Sequence, residues 1–262
     1  MSGGVPRPRF PLGALTAAVV VGATVAGLGV ACGTEVEQAV VPDPGGVSTS
    51  LPSAPGAEVA GATEQRPTLD AALLTRLRST VLPVNSQGCG FDRQGTVSLV
   101  DLAGSPLAVS NRHVLAGATE AVVTLPDGEI VSVRVGGTVP DRDAAVLDPQ
   151  DAISSGLVSE TLQVGPAPQV GDEVVVAGHP GGAFAAFPGR VTAVEDRVDD
   201  GGTVQVLVVD VPTEEGSSGG VVVDASGRAV GLVAARDPET GSAVAYPFSA
   251  LTGRLDPEPP GC

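Results

Sequence analysis

Short valine-rich runs, each closed by glycine, proline or an Asp-Gly pair, set the strongest limit on how this chain folds. Stretches such as "VVTLPDGEIVSVRV", "EVVVAGHP" and "QVLVVDVP" repeat this pattern from Gly95 onward. β-Branched side chains suit a pleated strand, and glycine and proline stop it. The pattern predicts strands near 96–101, 105–110, 121–125, 129–135, 144–147, 173–178, 189–194, 203–209, 220–224, 229–235 and 242–246. "LPDGEI" and "VDASGRAV" read as tight hairpin turns. Many short strands at regular spacing suggest an antiparallel sandwich or barrel. Residues 148–171 divide the strands into two groups, and two small barrels fit that division. Aromatic residues make up only 2% of the chain, so the core must be mostly Val, Ala and Leu.

Ahead of the strands, "TLDAALLTRLRSTV" spaces Leu69, Leu73 and Leu77 as one face of a short amphipathic helix, with Thr68 as its N-cap. Residues 33–67 are rich in Pro, Gly, Ser and Ala and hold no apolar periodicity. They read as a disordered tether. Residues 1–32 read as an export segment. Arg7 and Arg9 precede an uncharged run that ends in "LGVACG". Leu-Gly-Val-Ala-Cys resembles a bacterial lipobox, with Cys32 as the lipidated residue. The run is also long enough to serve as an uncleaved membrane anchor, at about 20 residues, and full secretion is a third reading. All three place residues 68–262 outside the cytoplasm.

Cysteine use fits export. With Cys32 lipidated, Cys89 and Cys262 remain and can pair in an oxidising compartment, tying the end of the chain to the start of the folded domain. Two free thiols are the alternative. The net charge is −16, all 14 basic residues are arginine, and no basic cluster follows residue 32. A nucleic-acid partner is therefore not expected. The two histidines and three cysteines lack metal-ligand spacing, so neither metal nor cofactor is expected.

"TEEGSSGGVVVD" sets Ser217 and Ser218 among glycines before an apolar run. It suits either a flexible turn or one that presents a nucleophilic serine. A nucleophilic serine needs a base, and the base needs an orienting acid. His113 in "LAVSNRHVLAGA" and His179 in "VVVAGHPGGAF" both fall at strand ends. Asp143 directly opens an apolar run in "DRDAAVLD", which suits a half-buried acceptor. Its neighbour Asp141 reads as a turn residue.

"SNRHVLAGA", "DAAVL" and "GSSGGVVVD" followed by "GRAVGLVAA" occur in the order His, Asp, Ser. Over residues 80–262 they resemble the signatures of chymotrypsin/trypsin-fold serine proteases. The likeness is nearest to bacterial extracytoplasmic members, including the membrane-anchored, disulfide-bearing actinobacterial type. The resemblance implies an all-β fold of two six-stranded antiparallel barrels. It implies His113 as base, Asp143 as orienting acid and Ser218 as nucleophile. The N–H groups of Gly216 and Ser218 would form the oxyanion hole. Thr213, Ala234, Ala235 and Arg236 would wall the substrate pocket, favouring a small or apolar side chain, or an acidic one through Arg236.

The chain departs from the family at four places. Ser217 replaces the Asp used in zymogen activation by digestive members. "QGTVS" replaces the usual Gly-Ser-Gly segment. Glu214 and Glu215 stand where bacterial relatives often carry proline, and Arg112 precedes the base. The leading expectation is a monomeric, membrane-tethered endopeptidase acting on protein or peptide substrates, with no further domain after Cys262. A protease-fold scaffold without turnover and a structural envelope lipoprotein are the alternatives.

Overall fold

The computed structural model describes residues 69–199, 202–251 and 255–262. The export segment, Cys32, the tether and Thr68 lie outside the described residues. The first helix, α1 (Ala71–Thr80), is capped by Asp70, whose carboxylate accepts the Ala72 N–H at 3.1 Å. The cap thus falls at Asp70 rather than Thr68. A carboxylate at the N-terminal end also meets the positive end of the helix dipole.

The elements that follow are β1 (Val81–Gly88), β2 (Phe91–Leu102), β3 (Ser105–Ser110), the one-turn α2 (Arg112–Leu115), β4 (Glu120–Thr124), β5 (Ile130–Thr138), β6 (Ala145–Leu147) and α3 (Pro149–Ser154). Next come β7 (Leu162–Gln163), β8 (Glu173–Gly178), β9 (Ala185–Asp199), β10 (Gly202–Pro212), β11 (Val221–Asp224), β12 (Ala229–Arg236) and β13 (Ser242–Pro247). Strands β1, β4, β5, β6, β3 and β2 pair in that order, and β2 returns to β1, closing a six-stranded antiparallel barrel. A second closed barrel runs β10, β13, β12, β11, β8, β9. The short β7 lies parallel on β2, outside the first barrel's closure.

Each expected strand is present, several of them longer than expected. β1 was not expected: Pro83 and the polar Asn85-Ser86-Gln87 hide its period. Of those three only Ser86 is buried, its hydroxyl donating to the Val114 carbonyl at 2.5 Å, while Asn85 and Gln87 face out. Nor was α3 expected between the two strand groups. Asp148 starts it by accepting the N–H groups of Gln150 and Asp151, with Pro149 at the first helical position.

Strand alternation puts valine inside. In β5, Val131, Val133 and Val135 are buried while Ile130, Ser132 and Arg134 face out. Val84, Val97, Leu99, Val123 and Leu147 fill the first barrel. Val174, Val176, Leu207, Val222 and Val230 fill the second. A third cluster packs one barrel on the other, with Val109 and Val146 against Val221, Leu232 and Tyr246, and Leu77 of α1 joining them. The hairpin turns close as expected. Gly128 (φ +89°) turns β4 into β5, and Gly227 (φ +73°) turns β11 into β12.

Cys89 and Gly90 form the two-residue turn between β1 and β2, both with positive φ, and Cys89 is disulfide-bonded to Cys262. The bridge spans 173 residues with a Cα–Cα distance of 5.6 Å. The segment it anchors also pairs Asp256 with Thr138 and gives the Pro260 carbonyl to the Gly117 N–H. Among the described residues, no helix is long and apolar enough to cross a membrane. Urea unfolding with and without reductant should show the bridge's contribution, a loss of about 2–5 kcal/mol on reduction. Cys262→Ser should reproduce the loss without reductant.

Candidate active site

The site forms where the first barrel meets the turn between β10 and β11. β3 ends at Ser110, and the chain turns at once into α2, which carries His113. Asp143 sits in the turn between β5 and β6. The Asp143 carboxylate holds His113 twice, accepting its backbone N–H at 2.8 Å and meeting its Nδ1 at 2.5 Å. The Asn111 side chain donates to the Asp143 carbonyl at 2.6 Å and fixes that turn from the other side. With an ionised carboxylate on Nδ1, the ring proton belongs there and Nε2 carries the lone pair. Asp143 is largely shielded, its side chain 17% exposed, whereas the His113 side chain is 52% exposed. Asp141 beside it takes a left-handed turn conformation (φ +58°) and is exposed, in keeping with a turn role.

The other histidine has the opposite environment. His179 directly follows β8, is only 7% exposed, sets its Nε2 at 3.0 Å from the Val81 carbonyl and packs edge-on against Phe184. Burial pushes its pKa below the ordinary histidine range. Its Nδ1 has no hydrogen-bond partner.

The turn Thr213–Gly220 carries Ser218. Two of its glycines have positive φ, Gly216 at +92° and Gly219 at +85°. A Cβ at Gly216 would run into the His179 carbonyl, and one at Gly219 into the Thr96 carbonyl. Among the described residues, the N–H groups of Gly216 and Ser218 donate to no protein acceptor, whereas those of Ser217, Gly219 and Gly220 all do. Two unengaged donors two positions apart in one turn, one of them on Ser218 itself, are suited to holding an oxyanion. Ser217 is buried and Ser218 partly exposed, so of the two serines Ser218 is the accessible one.

Thr213, Ala235 and Arg236 line a cavity of about 230 Å3 together with Ser218, Glu214 and Glu215. Ala234 falls instead in an adjoining cleft of about 490 Å3 that holds His113, Asp143, Tyr246 and Cys262. Ala235 borders both. No hydrogen bond joins Ser218 to His113 among the described residues. A further apolar groove of about 550 Å3 lies elsewhere, between the β2–β3 hairpin and α3, and no residue lining it titrates. Among the described residues, no cluster of three or more His, Cys, Asp or Glu could hold a metal ion.

Two six-stranded antiparallel barrels, with a His–Asp pair on one and a glycine-flanked serine on the other, define a double-barrel architecture with hydrolase-type side chains at the junction. A family model described as a trypsin-like peptidase domain matches residues 94–232, more than half of the chain, and the chain belongs to that family. The Do-like serine protease HtrB of Bacillus subtilis is 32% identical over 143 residues, which cover 51% of this chain and 30% of that one. The serine endoprotease DegS of Escherichia coli is 26% identical over 157 residues, covering 56% of this chain and 44% of the relative. This chain spans less than half the length of the curated relatives it matches. The crystal structure of the Rv3671c protease from M. tuberculosis in its active form shares the fold. The TM-score is 0.58 at 21% identity, over 72% of this chain and 88% of that chain.

Sequence reasoning missed the groups that brace the site: Asn111, Thr96, Gly181 and the buried Asp237. Asp237 holds the β12–β13 turn beside the smaller cavity. It accepts the Thr240 N–H, the Arg197 guanidinium, the Thr240 hydroxyl and the Glu239 N–H. Gly241 in that turn accepts the Thr213 N–H. The Thr240 N–H, followed by Arg197 and the Thr240 hydroxyl, holds the Asp237 carboxyl well below the usual carboxylate range. The stabilisation is then complete above the unfolded carboxyl's pKa, about 4, and is lost as the pH falls below it. Asp237→Asn should therefore lower the melting temperature at neutral pH, with the gap to wild type narrowing below pH ~4 in thermal melts.

Proposed function

We propose that this chain is an extracytoplasmic serine endopeptidase in which Ser218 is the nucleophile, His113 the base and Asp143 the orienting acid. The observation that carries the reading is the double hold of Asp143 on His113, which fixes the imidazole and leaves Nε2 basic. Nε2 takes the Ser218 Oγ proton as Oγ attacks the scissile carbonyl carbon. The carbonyl oxygen becomes an oxyanion facing the N–H groups of Gly216 and Ser218. Collapse of the tetrahedral intermediate breaks the C–N bond, and His113 returns the proton to the leaving amine. Water then repeats the sequence on the acyl-enzyme, with His113 again as base. The Asp143 carboxylate stays ionised and stabilises the imidazolium formed in each half-reaction.

Export is supported by the apolar segment behind Arg7 and Arg9, and by the Cys89–Cys262 disulfide, which an oxidising compartment maintains. With those two cysteines paired, Cys32 is left over, in keeping with lipidation or another form of membrane tethering ahead of the catalytic domain.

The cavity beside Ser218 favours a small, uncharged substrate side chain at the cleaved bond. Its volume is about 230 Å3, and Val233 and Ala235 supply apolar wall. Its exposed rim carries the carboxylates of Glu214 and Glu215 against the single guanidinium of Arg236. Two negative charges against one positive disfavour an acidic side chain, which supports the apolar reading over the acidic one. A second reading, a protease-fold scaffold without turnover, draws on the missing Ser218–His113 hydrogen bond. Catalytic hydrogen bonds often tighten only with substrate bound, so the endopeptidase reading is preferred.

A fluorophosphonate probe separates the two. The folded wild type should label at Ser218 and Ser218→Ala should not, whereas unlabelled but folded wild type would overturn the endopeptidase reading. On a peptide library, cleavage after Ala or Val should exceed cleavage after Asp or Glu by at least about tenfold in kcat/KM, roughly the discrimination a small pocket supplies.

A further inference from the structure

The segment "QGTVS" departs from the family pattern, and the structure gives it a task. Thr96 lies in β2 of the first barrel and is fully buried. Its hydroxyl donates to the Gly216 carbonyl at 2.7 Å and accepts the His179 N–H at 3.0 Å. Its own N–H donates to the Ser218 carbonyl at 2.8 Å. One residue of the first barrel thus grips the turn that carries the nucleophile at two carbonyls, and also grips the start of the turn at Pro180–Gly182.

That second turn completes the arrangement. The Gly181 N–H donates to the Glu215 carbonyl at 2.9 Å. A trans peptide points its C=O and N–H in opposite directions, so holding the Glu215 carbonyl aims the Gly216 N–H the other way. Gly220 does the same for the Ser218 N–H by bonding the Ser217 carbonyl at 2.9 Å. Ser98 takes the Gly219 carbonyl at 2.8 Å. Every carbonyl from Glu215 to Gly219 is therefore occupied. Of the N–H groups from Gly216 to Gly220, only those of Gly216 and Ser218 are left for a ligand.

We infer that Thr96 is a positioning residue for the oxyanion donors, its hydroxyl bridging the His179–Gly181 turn to the Gly216 carbonyl. The inference rests on the endopeptidase reading above. Thr96 touches no reacting atom. It acts through the orientation of the Gly216 and Ser218 N–H groups. Thr96→Val keeps the shape of the side chain and removes the hydroxyl, so the His179 N–H and the Gly216 carbonyl lose their shared partner.

The test compares wild type, Thr96→Val, Thr96→Ser and the control Thr192→Val, whose hydroxyl bonds the Val208 carbonyl between β9 and β10 away from the serine turn, on a peptide cleaved after Val. Thr96→Val should lower kcat by about 10–100-fold, short of the loss of a whole donor, with KM within about threefold. Thr96→Ser should restore kcat to within about threefold of wild type, and Thr192→Val should stay near wild type. The inhibition constant of a peptide boronate, whose tetrahedral adduct uses the same donors, should rise with the fall in kcat. A folded Thr96→Val with wild-type kcat and boronate inhibition would overturn the inference, as would a Thr96→Ser that fails to rescue. If Thr96→Val does not fold, Thr96→Ala is read by the same criteria. A wild type without activity would sink the endopeptidase reading instead. The amide spectrum then decides the positioning role, since Thr96→Val must shift the Gly216 and Ser218 resonances, and unshifted resonances would end it.

Discussion

Buried backbone groups must find hydrogen-bond partners, and this requirement is strictest where the two barrels meet. The turn between β10 and β11 is too tight to satisfy itself. It draws one donor from the β8–β9 connection, at Gly181, and three from β2 of the other barrel, at the Thr96 hydroxyl, the Thr96 N–H and the Ser98 hydroxyl. The Ser110 hydroxyl, at the end of β3, in turn donates to the Thr96 carbonyl at 2.7 Å. The same contacts that settle the buried polarity also dock the barrels in register. Apolar packing of Val109 and Val146 on Val221 and Leu232 is non-directional and could tolerate a slide, whereas these hydrogen bonds could not.

Small side chains make such closeness possible. With aromatics at 2% of the chain, the barrels are filled by valine, leucine and alanine, and the backbones approach closely. Glycine is required at the tightest point. A Cβ at Gly219 would strike the Thr96 carbonyl and the Ser110 hydroxyl, so β2 and the serine turn could not meet at their present distance. The pattern of glycines in "GSSGG" is therefore set by the neighbouring barrel as much as by the turn's own conformation.

This division explains what the sequence disclosed. Periodicity revealed the strands wherever valine alternates with polar residues, as in β5, and turn chemistry placed the hairpins at Gly128 and Gly227. β1 escaped because Ser86 satisfies its polarity through Val114, a contact that only the folded chain creates. The disulfide could be found by counting, since leaving Cys32 aside gives one pair. His113, Asp143 and Ser218 could be proposed because each sits in a short local signature, and the structure brings His113 and Asp143 into direct contact. The bracing groups could not be read this way. Thr96 lies 120 positions from Gly216, and nothing in "QGTVS" marks its hydroxyl as a cross-barrel donor.

The two histidines show the same limit from the electrostatic side. In sequence both end a valine-rich strand and both precede a turn. The fold separates them by what surrounds the ring. His113 meets a carboxylate while half exposed, so a transient imidazolium has both a counter-charge and water. His179 is desolvated among Val81, Phe184 and the serine turn, and that burial favours the neutral ring. A charged His179 would place a cation two residues from Gly181, the donor that aims the Gly216 N–H. Keeping this ring neutral keeps the electrostatics of the proposed oxyanion site in the hands of backbone dipoles, which do not titrate.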